Sequence, residues 1–109
     1  MKKIFTYNVK IWVGLREKYT NEINEISKVE NICQKFCDEI GDCVSITKTK
    51  FIYKHGNENG VVIQWISYPR FPRTKKEIKN RAFNLAKLLK EKLNQYRISV
   101  ETPNNTYLI

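Results

Sequence analysis

The chain has 109 residues, 41% hydrophobic and 28% charged, a balance that predicts one globular domain and excludes a disordered chain. Twenty Lys and Arg against eleven Asp and Glu leave a formal charge of +9, which biases the protein toward anionic partners. No apolar run approaches the ~18 residues of a membrane span, and three cysteines are too few, and odd in number, for a disulfide framework.

Lys2 and Lys3 open the chain, but Asn8 and Lys10 interrupt any signal-peptide core, so the cytosol is the expected compartment. There Cys33, Cys37 and Cys43 are expected as free thiols. The charge is uneven: residues 21–45 are net acidic inside a basic protein.

Residues 4–15 alternate, with Phe5, Tyr7, Val9, Ile11, Val13 and Leu15 on one face and Thr6, Asn8, Lys10 and Trp12 on the other. This predicts a strand near 4–14. A polar loop follows. Ser27-x-x-Glu30 has the form of a capping box, and Val29, Ile32, Cys33, Phe36, Cys37 and Ile40 follow at helical spacing. A helix near 27–40 is predicted, stopped by Gly41.

Residues 43–54 are rich in Val, Ile, Thr, Phe and Tyr and predict a second strand. Its alternation falters at Lys48-Thr49-Lys50, which signals a bulge or a strand running past the sheet edge. His55 to Gly60 reads as a turn. A third strand, near 61–68, is apolar on both faces and therefore central: Val61, Ile63 and Trp65 on one side, Val62, Gln64 and Ile66 on the other. The Pro-containing stretch to Arg73 is a stiff basic connection. Thr74-x-x-Glu77 is a second capping box, opening a helix near 74–94 with Ile78, Ala82, Leu85, Ala86, Leu89 and Leu93 on one stripe. Residues 96–102 alternate again, and Tyr107 to Ile109 has room for a short fifth strand.

The order β-α-β-β-α-β, with two amphipathic helices that must cover one face of an antiparallel sheet, predicts an α+β sandwich of ferredoxin-like topology in a single domain over 1–109.

Two surfaces stand out. The uncovered sheet face carries Trp12, Val62, Gln64 and Ile66, an apolar contact surface for a second copy of the chain in a homodimer. Arg70, Arg73, Lys75, Lys76 and Lys79 crowd the start of the second helix, where a phosphate would be attracted. No phosphate-cradling Gly-rich loop with its Lys and Ser/Thr is present, and the strand at 61–68 lacks the dense aromatic pattern of base-stacking sheets.

Catalytic motifs are sparse. Glu17, Tyr19, Asp42 and His55 are the candidates, and no set of side chains has metal-ligand spacing. Small metal-dependent nucleases of this shape carry an aspartate after the first strand, where Val13-Gly14-Leu15-Arg16-Glu17 has none. The leading expectation is a non-catalytic, cofactor-free module binding an anionic partner, either nucleic acid or a nucleotide. The alternatives are a module or homodimeric regulator contacting protein, including acidic protein, through the open sheet face, and a small metal-dependent nuclease-like enzyme.

Overall fold

The computed structural model describes residues 1–18, 20–66 and 73–109. Chain alternation sets its centre. Strand β1 (Lys10–Gly14) buries Ile11 and Val13 and lies between β3 (Gly56–Trp65) and β4 (Ser99–Glu101), antiparallel to both. Strand β2 (Val44–Tyr53) flanks β3, and β5 (Thr106–Leu108) closes the other edge, giving the order β2-β3-β1-β4-β5. Helices α1 (Ile26–Ile40) and α2 (Lys75–Lys92) complete the ferredoxin-like α+β sandwich, with the fifth strand present.

The buried faces interlock as their periods require. Ile11 and Val13 of β1, Val61, Ile63 and Trp65 of β3 and Val100 of β4 meet Val29 and Cys33 of α1 and Ala82, Leu85, Ala86 and Leu89 of α2 in one core. The second capping box forms as read: Glu77 N–H donates to Thr74 Oγ1 at 3.1 Å and Thr74 N–H to Glu77 Oε1 at 3.2 Å. These bonds hold the Glu77 carboxyl below the ordinary glutamate range. Gly41 ends α1 in the left-handed conformation at φ 71°.

Four sequence expectations shift. The first strand begins at Lys10, because β4 is three residues long and stops opposite it; Phe5 is exposed. The first capping box does not form. The N-cap is Glu25, and Ser27 Oγ turns back to Glu25 Oε2 at 3.4 Å. Buried Asn24 anchors that end instead, its Nδ2 donating to the carbonyls of Leu15 (3.2 Å) and Leu93 (2.9 Å).

The hairpin turn is only Lys54-His55, with His55 at φ 65°, and Gly56–Gly60 belongs to β3. Those residues read as a turn because their part of β3 is polar. Before Asn59 its sheet partner is β2 alone, since β1 pairs no further than Gly60 and adds one bond from Leu15 N–H to Asn59 O. β2 and β3 pair one to one through ten residues each without a bulge, so the hairpin runs past the sheet as a two-stranded ribbon.

Finally, Asp42, a catalytic candidate in the sequence, is buried as a structural carboxylate. Its side chain is 2% exposed, accepts hydrogen bonds from Trp65 Nε1 at 3.1 Å and Arg81 Nη1 at 2.9 Å, and pairs in charge with Arg73, whose Nε lies 3.2 Å away. Arg73 and Arg81 also donate to Ile40 O, and Arg73 to Gly41 O, placing positive charge at the negative end of α1. Among the described residues, no helix is long and apolar enough to cross a membrane.

Candidate active site

The catalytic candidates named from the sequence are not brought together. His55 caps the hairpin tip, and Asp42 binds Trp65 at the opposite end of β3, roughly 30 Å away at 3.3 Å per strand residue. Glu17 lies in the loop after β1, its backbone bonded to Glu22 and Thr20. Tyr19 falls outside the described residues. Among the described residues no group of three or more His, Cys, Asp or Glu is placed to hold a metal ion. Cys33 is buried and its thiol is pushed up to about 12 by that burial, with Cys37 beside it adding to the shift. Cys37, half-buried, is raised by desolvation and then by the negative charge of Asp42. Neither supplies a thiolate near neutral pH.

The basic run is divided. Arg73 faces Asp42 and the end of α1, Arg70 lies outside the described residues, and Lys75, Lys76 and Lys79 line a separate groove.

Chemistry-bearing groups do converge on the sheet face opposite the helices. Strand parity places Lys10, Trp12 and Gly14 of β1 there, with Gln64, Val62, Gly60 and Glu58 of β3, Phe51 and Thr49 of β2, and Ser99 and Glu101 of β4. Trp12 is the hub. Its indole Nε1 donates to Glu101 Oε1 at 2.9 Å, and its ring lies 6.2 Å from that of Phe51 at an interplanar angle of 58°. Trp12 stands opposite Val62, and Gln64 is two residues further along β3 on the same face, so these sequence-identified surface residues sit together. Ile66 follows β3 and is 39% exposed.

Two glycines make room for the rest. Gly14 and Gly60 are cross-strand partners. A methyl group on Gly14 would lie 2.7 Å from Glu58 Oε2, so that carboxylate rests on the bare backbone. A methyl on Gly60 would collide with the Phe51 ring and approach Val13 O to 2.6 Å. The face thus presents two aromatic rings flanked by two carboxylates, Glu58 and Glu101, all half-buried. Parity in the sequence placed Trp12 here. Glu58 was hidden in an apparent turn, and Glu101 acquires meaning only through Trp12, 89 positions away.

No family model matches the chain, and no curated protein matches it in sequence. Solved structures do. The chain is similar to phage SAM lyase. A phage SAM lyase in complex with S-methyl-5'-thioadenosine is 18% identical, with a TM-score of 0.76 over 100% of this chain and 94% of that one. A phage SAM lyase in the apo state is 20% identical, with the same TM-score and coverage. At this identity the likeness establishes the fold, and the fold spans both chains almost end to end. It also corrects the expectation that the protein is more likely not an enzyme. The neighbour sharing this whole architecture is an enzyme, a lyase solved with S-methyl-5'-thioadenosine, which stands nearer to the enzyme alternative than to the leading non-catalytic reading.

Proposed function

We propose that the chain is a lyase acting on S-adenosylmethionine (SAM), which it binds on the open face of its sheet. One observation carries the reading: the Trp12 group, in which an indole anchored to Glu101 meets Phe51 with the Glu58 carboxylate nearby on Gly14. A sulfonium centre is a cation with no hydrogen to donate. It is recognised by aromatic faces and negative charge, and this face offers both. Adenine stacks on the same kind of ring.

The ligand of the solved neighbour, S-methyl-5'-thioadenosine, is SAM without its four-carbon amino-acid chain. In this chain's proposed reaction the bond from sulfur to that chain breaks. Its electron pair goes to sulfur, which leaves as a neutral thioether and needs no proton. Without water, the amino-acid fragment completes its valence in one of two ways. Its own carboxylate closes on the carbon that sulfur leaves, with no proton moved. Otherwise the neighbouring carbon yields a proton to a carboxylate, Glu58 or Glu101, and a double bond forms. In both, positive charge moves from sulfur toward carbon as the bond stretches. A carboxylate closer to that carbon than to sulfur therefore favours the transition state over the bound substrate.

Purified protein incubated with SAM should release S-methyl-5'-thioadenosine, seen by chromatography, with the co-product identified by NMR as a lactone or an unsaturated amino acid. Glu58→Gln and Glu101→Gln should each slow release while leaving the fold intact. Absence of the thioether product at micromolar enzyme, together with no binding of S-methyl-5'-thioadenosine, would defeat the proposal.

A further inference from the structure

A cavity lies away from the open sheet face. It is a groove of about 660 Å³ between the first turns of α2, the N-terminal segment at Thr6-Tyr7 and the turn joining β4 to β5. That volume suits a nucleotide-sized ligand. Three lysines, Lys75, Lys76 and Lys79, line it, and no described lining residue is acidic.

Two of the ammonium groups are held in place by rings. Lys79 Nζ lies 5.1 Å from the Tyr107 ring centroid and 5.9 Å from that of Phe83, and Lys75 Nζ lies 5.7 Å from that of Phe5. Ring faces position a cation without neutralising it. Lys75 and Lys79 are also four apart on one helix face, where like charges repel. The opposite wall is fixed: Thr102 N–H donates to Asn105 O at 2.8 Å and Asn105 N–H to Thr102 Oγ1 at 3.2 Å. That turn sets Asn104 and Asn105, amide donors, against the lysines.

We infer that this groove binds the polyphosphate chain of a small ligand, a nucleoside triphosphate or inorganic polyphosphate. Three uncompensated ammonium groups in two helical turns match about three successive phosphate groups. Uncharged amides complete the coordination without repelling them. SAM and S-methyl-5'-thioadenosine carry no phosphate, so this site is independent of the proposed lyase site and stands whether or not that activity is found.

The test is calorimetric titration at about 50 mM salt, where charge-driven binding is still strong, with sodium tripolyphosphate, ATP and a twelve-residue oligothymidylate. Binding of tripolyphosphate and ATP is expected. Equal affinities would identify the phosphate chain as the whole determinant, and tighter ATP binding would add the nucleoside; either sustains the inference. The pair Lys75→Gln and Lys79→Gln should weaken both ligands about tenfold, the scale of one lost charge-assisted contact. The pair Lys48→Gln and Lys50→Gln, exposed on β2, should change affinity less than about twofold while removing the same net charge. Melting curves verify that both variants fold, and Lys76→Gln gives a further variant within the groove. Three results would overturn the inference: no binding of either ligand, equal loss in the two double variants, or oligothymidylate binding far tighter than ATP through the same lysines.

Discussion

Gly14 and Gly60 face each other across β1 and β3, and each is roofed by a side chain of the hairpin ribbon, Glu58 over Gly14 and Phe51 over Gly60. The two positions should answer differently to alanine. At Gly60 the methyl meets a ring and a backbone oxygen at once, neither of which yields easily, and about 1–3 kcal/mol of stability should be lost. At Gly14 the obstacle is the free end of a glutamate, which can swing away. Gly14→Ala should therefore melt close to the parent while turning over SAM about tenfold or more slowly, because misplacing a catalytic group is costly. Urea titration and initial rates on both variants separate the two effects.

Trp12 has two duties that substitutions can divide. Trp12→Ala removes the ring, and affinity for S-methyl-5'-thioadenosine should fall by about 1–3 kcal/mol, the usual worth of a stacked base. Trp12→Phe keeps a ring but no longer donates to Glu101. Binding should then persist while the released carboxylate lowers turnover. Calorimetry and initial rates check the split; equal effects on both quantities in both variants would contradict it.

Asp42 is a structural carboxylate. Asp42→Ala strips the acceptor from Trp65 and the counter-charge from Arg73 and Arg81 at a site where the carboxylate is 2% exposed. A loss of about 2–3 kcal/mol is expected, below the 3–5 typical of a broken, fully buried pair because both arginines keep some contact with water. Activity per folded molecule should be unchanged at low temperature. Chemical denaturation and active-site-normalised rates measure both.

Element order was legible because it is written in local periods: alternation in β1, helical spacing in α1 and α2, and the Thr74–Glu77 box. Handedness then fixed the strand order. Ser27–Glu30 misled because a capping box is a pattern of four residues, whereas the start of α1 is set by Asn24 reaching Leu15 and Leu93 through tertiary bonds. Residues 56–60 misled because their covered face carries Gly56, Glu58 and Gly60, so there is no apolar alternation to show. The candidate site was half legible. Parity exposed Trp12, Val62 and Gln64, but no local rule joins Trp12 to Glu101. Catalysis left no motif because cleaving a sulfonium, as proposed, needs no histidine, thiolate or metal set.

Cys33 gives a pH dependence with a definite sign. Its ordinary value is 9.0 and its folded value about 12, so both states hold the proton at pH 7. As pH rises past 9 the unfolded chain releases that proton while the folded chain retains it. Stability present below pH 9 is lost as pH climbs toward 12. The raised Cys37 thiol acts in the same direction. Urea midpoints between pH 7 and about 10.5 should decline, and less steeply in Cys33→Ala, since each coupled proton contributes up to about 1.4 kcal/mol per pH unit. In iodoacetamide at pH 8, Cys33 should be alkylated only after urea is added, as read by intact mass.

His55 adopts φ 65°, which costs a side chain about 1–2 kcal/mol and glycine almost nothing. His55→Gly should raise stability by about 0.5–1 kcal/mol after the added chain entropy of glycine. Since His55 stands roughly 20 Å along β3 from the Trp12 rung, turnover should not change. A fall in rate would return His55 to the list of functional groups.

The hydrogen bond from Trp12 to Glu101 also orders events in time. The β2–β3 hairpin closes through two residues and can zip early, whereas β1 and β4 must find each other across most of the chain. During synthesis the hairpin, with Phe51 and Glu58, leaves the ribosome while Glu101 has not yet been translated. A nascent chain would therefore lack the proposed site, however well its hairpin is formed. Recovery of the proposed activity after dilution from denaturant should report the pairing of β1 with β4, not collapse of the core.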